Sequence, residues 1–380
     1  MNGSEDRPDR WNGTSLSVVL PNYNHADLIA RALDALLAQD RPADEIIIID
    51  DGSTDDSLSV IRAYAARAPA IRILRNDKNC GIVATLQRGL EAARGRYVYF
   101  AASDDWVLPG FFALALALLE AYPQRGFFCG EAILVDGVTG GFRGLRPIAR
   151  PRSGRGDVSP SRAVELLSRI DNWILTGSAI FRRECVVATG GFDTRLGSFA
   201  DSYLSRKIAL TRGFCYAPVT VATWCIFSGS VSRVTALQRA EEVLAVVPSV
   251  IAADPTFPSW YPEAFRRRWR FAASRLALES RPVDRALVST MGAASPLDRL
   301  ALKTIWAVLP AALGRFATLT LLWWRWRPTS LRSVVTTALE RRLEGRLRGR
   351  RPPTAPSLPQ ERRLAADVHS SPAPADERLR

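Results

Sequence analysis

The chain reads as an α/β protein built on a mainly parallel sheet, with a mostly helical C-terminal extension. Two observations predict the sheet. Apolar, β-branched runs at residues 16–20, 46–49, 71–74 and 97–101 alternate with amphipathic helical patterns, a spacing that implies right-handed βαβ units. Two of these runs end in paired carboxylates, Asp50-Asp51 and Asp104-Asp105. Adjacent carboxylates at the end of a buried strand repel one another and lose hydration. They make sense at the carboxyl edge of an open α/β sheet, where ligands bind. A third observation, helical patterning from residue 239 onward, predicts the extension.

Each element follows from its own pattern. LSVVL opens as a strand and is ended by Pro21-Asn22. Leu28, Ile29, Ala32, Leu33, Leu36 and Leu37 form one face of a helix over 28–38. The continuous branched run 46–49 is that of a buried parallel strand. A helix over 57–66 has Ser53, Thr54 or Asp55 as candidate caps. The strand 71–74 and the helix 82–93 follow, the helix closed by Gly95 in the helix-stopping position. Gly52 and Gly81 read as turn glycines. Residues 111–122 are apolar nearly all round but stop at Pro123, short of the roughly 20 residues of a membrane span, so they predict a buried helix behind the acidic pair. A strand is expected over 127–135, a mobile Gly-, Arg- and Pro-rich loop over 136–160, a helix over 164–170, a strand over 175–181, a loop over 192–200 and a helix over 202–210. Residues 239–306 read as mostly helical. The domain expectation is a disordered 1–14, a catalytic domain over 15–240, a basic helical extension over 241–350 and a disordered tail over 351–380.

Composition narrows the setting. The chain has 380 residues, 47% of them hydrophobic, and a formal net charge of +13 with much of the excess late in the sequence. That balance suggests an anionic partner, phospholipid or nucleic acid. Few aromatics interleave with the arginines of 341–351, so a nucleic-acid stacking groove is not indicated. The five cysteines show no CxxC spacing and read as reduced, mostly buried thiols of a cytosolic protein. No signal-peptide pattern is visible at the N-terminus.

Several motifs agree in order: LSVVLPNYNHADLIARALDALLAQ, IIIIDDGSTDDS, NDKNCG, YVYFAASDDWVLPG, TGSAIFRREC, GGFDTRLGSFADSYLSRKIALTRG and SGSVSR, together covering roughly residues 16–233. In this series the chain resembles the family 2 glycosyltransferases, inverting, nucleotide-sugar-dependent enzymes of the GT-A fold. The resemblance implies a nucleotide-sugar site at Pro21, Tyr23, Asn24, Asp50, Asp51, Ser53 and Asp104. Within it Asp51 corresponds to the aspartate that hydrogen-bonds the base, Tyr23 to the residue packed on it, and Asp104 to a position near the sugar or ribose. Asp105 corresponds to the metal-binding last aspartate of the DxD-type motif, with Mn²⁺ or Mg²⁺ as cofactor, and Asp201 to the general base. The departures are Ser103 for the first aspartate of DxD, Ala200 before Asp201, and no histidine in 224–228. Implied partners are a UDP-type sugar donor and a saccharide or lipid-linked acceptor in surface polysaccharide synthesis, with no nucleic acid.

The residues themselves leave readings open. Asp50 divides evenly between orienting its turn and touching nucleotide, Asp201 could cap the following helix, and Trp106 and Trp173 could line an acceptor site or pack in the core. Arg182 and Arg183 could meet phosphate or lie in a solvated turn, and His25 reads as a loop residue. Two other functions compete: a nucleotidyltransferase, which would want a Gly- and basic-rich loop where Pro21-Asn22-Tyr23-Asn24 stands, and a non-catalytic anion-binding module. In the extension, 304–324 is apolar but holds Arg315 and Pro310, with tryptophans near its ends. Burying Arg315 at a bilayer centre costs about 2.5–3.5 kcal/mol. A helix lying in the interface or a short hairpin fits better, which predicts peripheral contact with an anionic membrane on its cytoplasmic face. Packing on the catalytic domain is the alternative.

Overall fold

In the computed structural model, which describes residues 13–171 and 174–348, three strand–helix units open the fold. They are β1 (Leu16–Asn22) with α1 (Ala26–Leu37), β2 (Glu45–Asp50) with α2 (Ser57–Arg67), and β3 (Ile71–Arg75) with α3 (Ile82–Ala92). Next come β4 (Tyr97–Phe100), β5 (Trp106–Val107), α4 (Phe111–Ala121), β6 (Phe127–Asp136), β7 (Phe142–Arg146), β8 (Gly156–Val158) and α5 (Pro160–Arg169). They are followed by β9 (Ala179–Arg182), α6 (Arg183–Ala188), α7 (Ala200–Arg212) and β10 (Phe214–Ile226). The C-terminal part is α8 (Val231–Gln238), α9 (Ala240–Ala253), α10 (Tyr261–Glu279), α11 (Arg285–Gly292), α12 (Pro296–Val308), α13 (Ala311–Trp326) and α14 (Leu331–Arg348).

The strands join in one sheet of order β3-β2-β1-β4-β9-β6-β10-β5, with β7 on β6 and β8 on β10. The β3-β2-β1-β4 half is parallel, as the alternating pattern requires. Its other half is mixed: β9 runs antiparallel to both β4 and β6, while β10 lies parallel to β6. Side chains alternate across the sheet. Val19, Ile47, Ile49, Val98 and Phe100 face one apolar layer, and Val18, Leu20, Ile46, Ile48 and Tyr99 face the other, which α1, α2 and α4 cover. Both faces are buried, which explains the continuous apolar runs in the sequence.

Several expectations change. The stretch 136–160 is not a loop throughout: it supplies β7 and β8, which extend the sheet along β6 and β10. The expected strand 175–181 begins with a 3-10 turn at Thr176–Ser178, and the expected loop 192–200 ends in another at Thr194–Phe199. Gly95 does not stop α3, which ends at Ala92. Its need for glycine is a close approach: a Cβ there would lie 2.7 Å from the backbone N and Oγ of Ser17. Arg182 is buried, donating to Tyr97 Oη and to the Arg125 and Leu119 carbonyls, so it neither meets phosphate nor faces solvent. Arg183 binds the Gly95 carbonyl. The disorder expected at the two termini and the role of Trp173 fall outside the described residues, apart from Gly13 and Thr14.

The segment 304–324 is broken at Leu309-Pro310 into an α12–α13 hairpin. Trp306 Nε1 donates to Thr318 Oγ1 at 3.0 Å, and Arg325 pairs with Asp298 at 3.1 Å. Among the described residues no helix is long and apolar enough to cross a membrane.

Candidate active site

The site forms where β1, β2 and β4 end together. Backbone ladders pair Asn22 with Asp50 and bring Ala101 N to the Val19 carbonyl, so the three strand ends are held at one edge. Asp50 is fully buried; it accepts from Ser53 N (3.3 Å) and Asn22 Nδ2 (3.5 Å) and lies 3.7 Å from Arg75. Asp51 turns to the next loop. Its Oδ1 accepts from Asn76 Nδ2 (2.6 Å) and Cys80 N (2.9 Å), and its Oδ2 from Gly81 N (2.9 Å). A carboxylate has about four acceptor positions, so three are committed to holding this loop.

Gly52 makes that loop possible, at φ +72° with Lys78 and Asn79 close behind it. Ser53 Oγ accepts from Asn24 N and Asn22 Nδ2, and Asn24, at φ +52°, accepts from Thr54 N. Pro21 is buried at the strand end, while Tyr23 stands 41% exposed beside it with its ring free for a ligand. Between them Asn22 Oδ1 is buried and accepts no hydrogen bond. A buried acceptor of this kind calls for a donor from outside the protein.

The second acidic pair follows β4. Asp105 Oδ1 accepts from Cys225 N at 2.7 Å, and no hydrogen bond from a described residue reaches its Oδ2. Burial pushes the Asp105 carboxyl well above the usual carboxylate range, and the neighbouring Asp104 charge adds to the rise. Asp104 is raised as well, by burial, against the pull of His25 and Arg31. His25 Nδ1 lies 2.6 Å from Ser103 Oγ, and Arg31 donates to the Asp104 carbonyl while stacking 3.8 Å over Trp106. Trp106 is a buried support for Arg31.

The third component, Asp201, lies in the first turn of α7 but is not its N-cap, which is Phe199. It accepts from Thr176 Oγ1 at 2.8 Å and from Ser202 N at 2.6 Å. Burial raises its pKa, and the Thr176 bond only partly offsets that. Thr176 is followed by Gly177, where a Cβ would stand 3.8 Å from Asp105 Oδ2. The two-residue step Thr176-Gly177 thus joins Asp201 to the acidic pair.

Among the described residues no group of three or more His, Cys, Asp and Glu could hold a metal alone. Mg²⁺-like ions are commonly held by one or two carboxylates with substrate phosphates completing the shell. Asp105 Oδ2, hard and free on the Gly177 side, fits that mode, with Asp104 beside it. The sequence reading found the carboxylates but missed Asn22, Asn76, His25, Arg31 and Thr176 as their organisers. All five lie inside the quoted motifs, Asn22, His25 and Arg31 in the first, Asn76 at the head of NDKNCG and Thr176 at the head of TGSAIF.

Residues 17–161 match the family model for glycosyl transferase family 2. That stretch is a family 2 glycosyltransferase domain. A Mycobacterium tuberculosis relative, the uncharacterized protein MT1568, is 28% identical over 240 residues, 62% of this chain and 72% of its own length. The putative teichuronic acid biosynthesis glycosyltransferase TuaG of Bacillus subtilis is 37% identical over 90 residues, 24% of this chain and 36% of the relative. The chain also shares its fold with two solved structures. Residues 1–349 of Staphylococcus aureus TarS in complex with UDP superpose with a TM-score of 0.53 at 16% identity, covering 82% of this chain and 91% of TarS 1–349. The mannosyltransferase PcManGT of Pyrobaculum calidifontis, in complex with GDP-Man and Mn²⁺, gives 0.52 at 22% identity, covering 87% of each chain. The architecture is accordingly of GT-A type, a sheet flanked by helices with a helical C-terminal part.

Proposed function

We propose that this family 2 glycosyltransferase moves a sugar from a nucleoside-diphosphate sugar, with inversion, to a hydroxyl of a saccharide or lipid-linked acceptor in surface polysaccharide synthesis. The observation that carries the reading is the Thr176-Gly177 step, which sets a buried base candidate, Asp201, beside the open oxygen of Asp105. Inverting transfer needs a diphosphate held on one side of the sugar and a proton acceptor on the other. Tyr23 stacks on the base of the donor, which is of UDP type in this reading. Asp51 uses its remaining lone pair toward that base, and Asn22 Oδ1 takes a donor hydrogen. Pro21, Asn24, Asp50 and Ser53 shape the floor of that subsite, and Asp104 faces ribose or sugar. Asp105, with Asp104, holds Mn²⁺ or Mg²⁺, which when bound neutralises charge on the diphosphate.

Asp201 accepts the acceptor hydroxyl proton as the new C–O bond forms and the bond to the diphosphate breaks. Its raised pKa makes it a better base than a solvated carboxylate, and such a group contributes about 10²–10⁴-fold in rate. TuaG, by name a teichuronic acid biosynthesis enzyme, and the UDP and GDP-Man complexes of the structural neighbours support the substrate classes. The α12–α13 hairpin and the basic C-terminal helices support peripheral contact with the cytoplasmic face of a membrane.

The test is a panel of nucleoside-diphosphate sugars with Mn²⁺ or Mg²⁺ and extracted lipid-linked acceptors. Wild type should transfer or hydrolyse at least one donor, and Asp105→Ala should lose both metal-stimulated donor binding and turnover while melting as a folded protein. An active Asp105→Ala overturns the metal assignment; a wild type that neither binds nor turns over any donor overturns the function.

A further inference from the structure

A cavity of about 630 Å³ opens between the C-terminal end of α5, the face of α10 and the junction of α13 with α14. Its walls carry Arg169, Arg267, Arg268 and Arg327 with the indoles of Trp323 and Trp324, and no carboxylate. Four guanidinium groups around one space repel each other, so the arrangement costs free energy unless an anion sits among them. Their commitments differ. Arg268 is fixed by Asp171 (3.4 Å) and by the Leu167 and Pro328 carbonyls, and Arg169 leans on Glu165. Arg267 and Arg327 have no acidic partner among the described residues. Arg327 closes α13 at φ +42°, a left-handed conformation ordinarily left to glycine, so a charged side chain stands at the pocket at a backbone cost.

The rim of this pocket is apolar and unpartnered. Trp324 on α13 and Leu331 on α14 both line it and are 65% and 62% exposed. From Leu331 an exposed aliphatic stripe continues along α14 at four-residue steps through Val335, Leu339 and Leu343. From Trp324 the exposed face of α13 runs back through Phe316 and Leu313 to the hairpin tip, where residues 307–313, AVLPAAL, are all exposed. Apolar surface in this amount on a monomer marks an interaction face. A cationic pocket set between two apolar ridges has the chemistry of one occupant, an anionic phospholipid: phosphate in the pocket, acyl chains along the ridges.

We infer that the Arg267–Arg327 pocket binds the headgroup phosphate of an anionic phospholipid and orients the transferase on the bilayer. The inference rests on the membrane-contact reading above and gives it an address. Arginine presents paired donors matched to phosphate oxygens, and the tryptophans suit the interfacial depth at which that phosphate lies.

The test uses the full chain with two probes. Dihexanoyl phosphatidic acid, kept below its micelle concentration, is titrated by calorimetry, with dihexanoyl phosphatidylcholine and inorganic phosphate as comparisons. Phosphatidylglycerol vesicles are used for co-sedimentation. Wild type should bind the short-chain acid at one site per chain and more tightly than either comparison. The pair Arg267→Gln/Arg327→Gly should bind it at least tenfold more weakly, and vesicle partitioning should fall about five-fold for each arginine removed. Glycine fits the positive φ at 327, so this pair should melt no lower than wild type, which separates loss of the ligand from loss of fold. The charge-matched pair Arg299→Gln/Arg332→Gln, on exposed positions outside the cavity, should bind the short-chain acid within twofold of wild type.

The pocket is overturned by unchanged binding in the first pair, by equal loss in the second, by equal affinity for the zwitterion, or by inorganic phosphate binding as tightly as the lipid. Wild type that stays in the supernatant with phosphatidylglycerol vesicles overturns the membrane reading as well, whereas vesicle binding that survives in the first pair overturns the pocket alone.

Discussion

At the scale of single residues, chemistry is concentrated in carboxylates that the fold makes costly. Asp201 is the clearest. Its folded pKa stands above that of the unfolded chain because burial disfavours the charge. The native state therefore binds the proton more tightly, and ionising Asp201 removes stability as pH rises from the ordinary carboxylate range through the raised folded value. Asp201→Asn keeps an oxygen for Ser202 N, turns its Nδ2 toward Thr176 Oγ1, which can accept, and carries no charge. It should melt at or above wild type at pH 8, with the difference vanishing below about pH 4, and should lose about 10²–10⁴-fold in transfer rate. A lower melting temperature at pH 8 would show that the charge supports the fold and does not burden it.

The two acidic pairs were legible in the sequence because paired carboxylates after apolar strands have few stabilising explanations, whereas Asp201 came only from the resemblance. The partners of these carboxylates were not legible. His25 and Ser103 are 78 residues apart and Thr176 and Asp201 are 25 apart, and nothing local in either segment announces the contact.

At the scale of elements, the parallel half of the sheet was readable because strands buried on both faces are uniformly apolar. The mixed half was not: β7 and β8 are short, exposed or glycine-containing, and β10 carries Pro218 and Thr220 in a strand of irregular register. The loop 76–81 shows how one element makes the site. Asp51 holds it through two backbone amides and Asn76, and Gly52 lets it pass.

Gly52→Ala must place a Cβ 2.7 Å from the Lys78 carbonyl carbon at φ +72°. The backbone conformation alone costs about 1–2 kcal/mol, and the clash adds to it by displacing the loop. Gly81→Ala meets the same kind of φ, +86°, with nothing within 4 Å. Thermal melts should therefore rank wild type above Gly81→Ala and Gly81→Ala above Gly52→Ala. The stabilisation given by UDP should shrink most in Gly52→Ala; equal losses in the two variants would mean that the loop is not braced against Gly52.

At the scale of the whole molecule, the sequence invites a cut between a catalytic part and a basic extension, and the structure ties the two together. Arg150, with a side chain 3% exposed, pairs with Glu131 of β6 at 2.7 Å and with Glu344 of α14 at 2.7 Å. Arg341 reaches Glu131 at 3.1 Å, Tyr216 Oη donates to the same carboxylate at 2.9 Å, and Arg150 N donates to Thr337 Oγ1. Charges removed from water to this degree stabilise only as a complete set. Taking away one partner of a buried pair costs about 3–5 kcal/mol, because the survivor stays buried without compensation.

A chain ending at Arg348 keeps every member of this network and is the reference beside the full chain. A chain ending at Thr329 strips Arg150 and Glu131 of Thr337, Arg341 and Glu344 together, and should melt well below both, with donor binding weakened because β6 lies in the same sheet as the site. Arg150→Ala should fall in the same direction by the single-partner amount. If the chain ending at Thr329 melted with the full chain, α14 would be an appendage and the network a surface ornament. A large drop instead makes the last helix part of the catalytic fold, so that a membrane gripping α13 and α14 would act on the sheet through Glu131.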